Sequence, residues 1–114
     1  MAISQIKNNS LLPSDWAGSL GTNGYQRLPS GLILQWGRNT AQVGSSGTST
    51  VTFPIAFPTA CQIVTTTFQQ AGGTVNGTSD LLVSAFSTTG FTVTRANAGN
   101  LDSFTGYSWF AIGY

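Results

Sequence analysis

The sequence predicts an all-β domain, a sandwich or a barrel, and three observations carry that prediction. From Gly31 onward the chain falls into short runs of β-favouring residues separated by Gly, Asn, Ser and Pro clusters, the pattern of strands joined by tight connections. Apolar spacing of helical period is not sustained anywhere. The chain also closes on GYSWFAIGY, residues 106–114. As a strand this stretch places Tyr107, Trp109, Ala111 and Gly113 on one face, and Ser108, Phe110, Ile112 and Tyr114 on the other. Both faces carry large apolar groups, so something must cover each.

The elements follow in order. Residues 1–30 have no period and are punctuated by Pro13, Gly18, Gly21, Gly24 and Pro29, so they read as an extended N-terminal leader ahead of a domain at 31–114. GLILQWG puts Leu32, Leu34 and Trp36 on one face, with Ile33 and Gln35 opposite. The stretch RNTAQVGSSGTS is then a loop. TVTFPIAF resumes an extended run with Val51, Phe53 and Ile55 in phase, and Pro54 marks an edge or the strand's end. CQIVTTTFQQ is rich in β-branched residues, which suit a pleated surface. Asn76 and Gly77 signal a turn. DLLVSAF and GFTVTRA, joined by STTG, read as a hairpin, and ANAGNLDSFT leads into the closing strand. The total is six strands.

Composition narrows the function. The 114 residues suit one domain. Charged residues make up 6% and hydrophobic ones 40%, with a formal net charge of +1, far below the roughly 25% charged content of ordinary soluble domains. Lys7, Arg27, Arg38 and Arg95 form no basic patch in the sequence, which argues against nucleic acid. No apolar run is long enough for a membrane-spanning helix, and MAISQIKNNS lacks the apolar core of a signal peptide. The single cysteine, Cys61, has no partner for an internal disulfide and reads as a small core hydrophobe.

Catalysis finds little to work with. The chain has no His and no Glu, which removes the commonest general base and the usual catalytic zinc ligands. The carboxylates besides the terminus are Asp15, Asp80 and Asp102, and Asp80 with Asp102 could supply the two carboxyl groups about 5–10 Å apart that glycoside hydrolysis needs. As loop and turn residues they have a simpler explanation. The expectation is a protein that is not an enzyme and that needs no cofactor or metal.

NGYQRLPSGLILQWG at 23–37, TVTFPIAFPTAC at 50–61, STTGF at 87–91 and GYSWFAIGY at 106–114 together resemble the C-terminal domain of bacteriophage and prophage tail fibres. More distantly, the Phe-Pro segment, the Thr-Gly-Phe hairpin and the Ser-Trp terminal strand are similar to H-type lectins. The resemblance implies a six-stranded antiparallel β-sandwich that assembles as a homotrimer, the leader linking it to a fibre shaft. It implies a fibre tip on the virion, made in the host cytoplasm, that binds bacterial surface polysaccharide or lipopolysaccharide without covalent chemistry. A tail-fibre assembly chaperone is a further implied partner. The alternative is a structural trimerisation cap that does not itself touch the receptor.

Three segments, residues 38–47, 74–80 and 97–103, are where such a domain would hold sugar, since function concentrates in loops on a rigid scaffold. The nominated contacts are Arg38 and Asn39 from the first, Asp80 from the second, and Asn97, Asn100 and Asp102 from the third. Where the lectins present a Trp-His pair this chain has Asn97, Ala98 and Gly99, so no sugar identity carries over. Trp36 and Trp109 lie in apolar phase within strands and read as core; Tyr25 and Tyr107 have rings to bury and hydroxyls to offer.

Overall fold

The computed structural model describes residues 13–40, 47–70, 78–98 and 104–114. Within them the chain makes one turn of 3-10 helix, Pro13–Trp16, and eight strands: β1 Gly18–Ser19, β2 Gly24–Arg27, β3 Ile33–Asn39, β4 Thr48–Thr52, β5 Cys61–Gln70, β6 Thr78–Phe86, β7 Gly90–Ala98 and β8 Phe104–Gly113. They form two antiparallel sheets. The larger has the order β1-β2-β3-β8-β5 and the smaller β4-β7-β6.

Six of these strands coincide with the six runs read from the sequence, and two do not. β1 and β2 fall within residues 1–30, which the sequence marked as leader. Gly24–Arg27 is extended but paired, Tyr25 lying opposite Gln35 and Gln26 opposite Leu34. The turn into β3 is closed by Leu28 N–H donating to the Leu32 carbonyl at 2.9 Å and by Gly31 at φ 95°, a conformation open to glycine because it lacks a Cβ. β4 is shorter than expected. It ends at Thr52, and Phe53 and Phe57 instead donate their N–H groups to the carbonyls of Thr89 and Thr88 in the β6–β7 turn, because Pro54 and Pro58 interrupt the ladder a longer strand would need.

That segment is held from the other side by Gln35. Its amide copies a strand neighbour, with Nε2 donating to the Ile55 carbonyl at 2.9 Å and Oε1 accepting from Ile55 N–H at 3.1 Å. A fully buried Gln is tolerable because both ends of its amide are bonded. The in-phase burial continues past the strand end, Phe53 and Phe57 being buried and Ile55 packed against them.

The two sheets share one core. Ile33, Cys61, Tyr107, Trp109 and Ala111 from the large sheet meet Phe91 and Val93 from the small one, with Phe53 and Phe57 between. Phe91 stands edge-on to Trp109 with ring centres 5.4 Å apart, and Phe53 edge-on to Phe57 at 5.0 Å. These are the offset geometries that aromatic quadrupoles favour. At one end of the domain Thr59 and Ala60 donate to the Tyr114 carbonyl, and Tyr114 N–H returns a bond to Ala60, so the last described residue is tied down.

Candidate functional site

The strand ends that flank 40–47, 71–77 and 99–103 lie together at the opposite end from Tyr114. Asn39 is registered with Tyr107, Phe68 also with Tyr107, and Gln70 with Phe104 in the large sheet. In the small sheet Thr78 is opposite Ala98, and Thr48 opposite Thr94. The two sheets are joined there by a hydroxyl and amide cluster: Asn39 Nδ2 donates to Ser49 Oγ and to Tyr107 Oη, each at 3.2 Å, and the two hydroxyls are 2.9 Å apart.

The nominated residues divide accordingly. Asn39 is half-buried and its amide is engaged in that cluster, which fastens β3 to β4 and β8. Arg38 is exposed, on the outer face of β3. Asp80 and Asn97 sit in β6 and β7, Ser79 being the partner of Asn97 and Ala96 of Asp80; their side chains lie outside the described residues. Asn100 and Asp102 lie outside the described residues altogether. The aromatic candidates separate too. Tyr107 is fully buried with its hydroxyl bonded, and Trp109 is 4% exposed. Trp36 is half-buried on the outer face of the large sheet, its Nε1–H donating to the Gly21 carbonyl at 3.0 Å. Burial pushes the Cys61 thiol above its ordinary value of 9.0, so it stays protonated and unreactive at neutral pH. No helix among the described residues is long and apolar enough to cross a membrane, and no cluster of His, Cys, Asp or Glu among them is fit to hold a metal ion.

One feature of this region was not read from the sequence. An open groove of about 430 Å³ runs between β3 and β4, lined by Asn23, Arg38, Thr50, Thr52, Pro54 and Trp109 among others. A second of about 400 Å³ lies on the other side of Arg38, against Thr22, Trp36 and Ser108. Gly37 makes the close packing beneath possible: a Cβ there would collide with Asn23 Oδ1 and with the Trp109 indole nitrogen. A glycine inside a strand is the signal that pointed to such an approach.

A family model and solved structures of tail fibres match the chain. Residues 27–114 match the family model of the tail fiber protein gp53-like C-terminal domain. The fold is similar to that of the N-truncated R1-type pyocin tail fiber, with a TM-score of 0.78 and 29% identity over all of this chain and 97% of that one. It is also similar to the R1 pyocin fiber of P. aeruginosa, with a TM-score of 0.74 and 31% identity over 86% of this chain and 28% of that one. Uncharacterized protein StfP of Escherichia coli K12 is 31% identical over 106 residues, 84% of this chain, and the chain spans 47% of the length of that relative. The chain therefore belongs to the gp53-like tail fibre family, whose C-terminal domain occupies its residues 27–114.

Proposed function

We propose that the domain is the receptor-binding tip of a phage, prophage or pyocin-like fibre and attaches reversibly to bacterial surface glycan, with the outer saccharides of lipopolysaccharide as the target. The observation that carries this reading is the juxtaposition of a tail-fibre C-terminal fold with strand ends that bring three loop bases, and Arg38 among them, to one end. The binding is non-covalent, without cofactor and without hydrolysis. Weak contacts repeated over several subunits yield avidity with no new chemistry.

The same reading makes the tip a homotrimer on the virion. Its support is the outer face of the large sheet. Ile63 is 50% exposed, Phe110 38% and Tyr114 47%, with Ile112, Leu34 and Trp36 half-buried beside them. Full burial of such a side chain contributes roughly 1.5–3 kcal/mol, and covering the half or less that remains exposed would contribute a proportionate share, on the order of 1 kcal/mol each. An unassembled chain presenting such a face is prone to wrong association, which gives an assembly chaperone a physical role.

Binding of labelled protein to bacterial cells tests the reading. It predicts saturable binding that purified lipopolysaccharide from the same cells competes away and that Arg38→Ala or Asp102→Ala weakens. A trimer that binds no cells across a broad panel of strains would instead make the domain a structural cap. Release of oligosaccharide from lipopolysaccharide, abolished by Asp80→Asn, would make it an enzyme.

A further inference from the structure

The groove between β3 and β4 is lined by hydrogen-bond donors, on Trp109, Asn23 and Arg38, that no described residue of the protein accepts from. Trp109 is 4% exposed and lines it. Its Nε1–H has no protein acceptor among the described residues, yet it is not among the buried polar atoms shut off from solvent. Buried indole N–H groups usually find a partner. Asn23 contributes an exposed amide whose Oδ1 already accepts Arg38 N–H at 3.1 Å, which leaves Nδ2 to donate. The Arg38 guanidinium, exposed at the rim, has no hydrogen bond or ion pair to the protein among the described residues. Among the described residues no carboxylate lines the groove.

We infer that this groove binds an anionic group, a carboxylate or a phosphate, carried on a saccharide. The ligand class follows from counting donors and acceptors. A neutral sugar hydroxyl brings a proton of its own and leaves part of this donor set unmatched, whereas a carboxylate or phosphate brings only acceptors, and a guanidinium fork meets it with charge-assisted bonds. Thr50 and Thr52, whose hydroxyls both donate and accept, line the same groove and suit the ring hydroxyls beside the charged group. Gly37 keeps the strand backbone low enough for the indole nitrogen to lie directly beneath it. The inference rests on the glycan reading for the saccharide and on the groove alone for the charge.

The test is a titration followed by ¹⁵N–¹H NMR of the whole chain, reading the Trp109 indole cross-peak, with galacturonate against galactose and glucose 1-phosphate against glucose. The expected result is a saturable shift with at least one of the two anionic sugars and none with their neutral counterparts at the same concentration. Arg38→Gln should weaken that response at least tenfold while the remaining cross-peaks stay in place, and added salt should weaken it in the wild type. Equal shifts from galactose and galacturonate, an unmoved indole peak, or an unaffected Arg38→Gln variant would each overturn the inference. Inorganic phosphate binding more tightly than either anionic sugar would overturn its saccharide part. If whole cells still bind Arg38→Gln as they bind the wild type and lose binding with Asp102→Ala, the groove fails and the adhesion reading stands; if cells never bind the wild type, the adhesion reading fails whatever the groove does.

Discussion

The outer faces of the two sheets share a pleat and differ in chemistry. On the small sheet the outward hydroxyls of β7 bond to both neighbouring strands: Thr92 Oγ1 lies 3.3 Å from Thr50 Oγ1 of β4, and Thr94 Oγ1 donates to Ser84 Oγ of β6 at 3.0 Å. In β6, Leu82 and Phe86, 52% and 53% exposed, are apolar exceptions on that sheet, and they fall in separate registered rows instead of forming one. On the large sheet two adjoining registered rows are mainly apolar, with Leu34, Ile112 and Ile63 in one and Trp36, Phe110 and Thr65 in the next, before the polar row of Arg38, Ser108 and Thr67. A face of hydroxyls satisfies itself and water. A face of contiguous apolar groups marks an interaction surface, which is why the large sheet is the side we assign to sister chains.

The largest expected effect belongs to neither face and calibrates both. Phe91→Ala removes a ring buried between the sheets and should cost about 3–5 kcal/mol in chemical denaturation, in the range for buried aromatics. A loss under 1 kcal/mol would mean that the two sheets do not depend on each other. Next, Phe110→Ser should cost on the order of 1 kcal/mol per chain in assembly, since only the part of the ring still exposed is covered there, expressed as concentration-dependent dissociation and not as unfolding of the subunit. Sedimentation velocity reads this directly. Loss of subunit structure in dilute Phe110→Ser would place that side chain in the core instead.

Smaller changes sharpen the contrast. Tyr107→Phe removes the hydroxyl that Asn39 and Ser49 share and should cost about 1 kcal/mol, the ordinary net value of a hydrogen bond, with more if Ser49 is left unsatisfied. Denaturant midpoints at constant slope check it. Thr94→Val on the small sheet should alter stability by less than about 0.5 kcal/mol and leave the particle mass unchanged. A change in mass would show that the small sheet also takes part in assembly.

The strands with strong alternation were legible from the residues alone. β8 is the clearest case, because its two sets of large side chains were separable by parity. The parity could say that both faces needed cover but not which was covered by the chain itself; the inner set is Tyr107, Trp109 and Ala111, at 0%, 4% and 0% exposed. β1 and β2 escaped notice because two and four residues are too few to display a period, and because Gly18 and Gly24 contribute no side chain to a pattern. Phe53–Ala60 kept the alternation of a strand without its pairing, since its hydrogen bonds go to the 87–90 turn, to Gln35 and to Tyr114, partners that no local pattern encodes.

The site was less legible than the fold. Asn39 looked like a free loop amide, yet its bonds reach Tyr107, 68 positions away. Arg38 was chosen for its chemistry and does lie exposed. The donor groove beside it draws on Asn23, Gly37 and Trp109, three segments brought together by the pairing of Gly37 with Trp109, of Gly24 with Trp36, and by the bond from Arg38 N–H to Asn23. A reading along the chain treats Trp109 as core, which it is, and has no means of noticing that its nitrogen is unspent.

The most direct measurement is the molar mass of the intact chain by light scattering at micromolar concentration, for the wild type and for Phe110→Ser. Cover of the large sheet by sister chains predicts three chains per wild-type particle and a shift toward one in the variant, with the β-sheet circular dichroism retained. A wild-type chain that stays monomeric and soluble, with Ile63, Phe110 and Tyr114 in water, would contradict it.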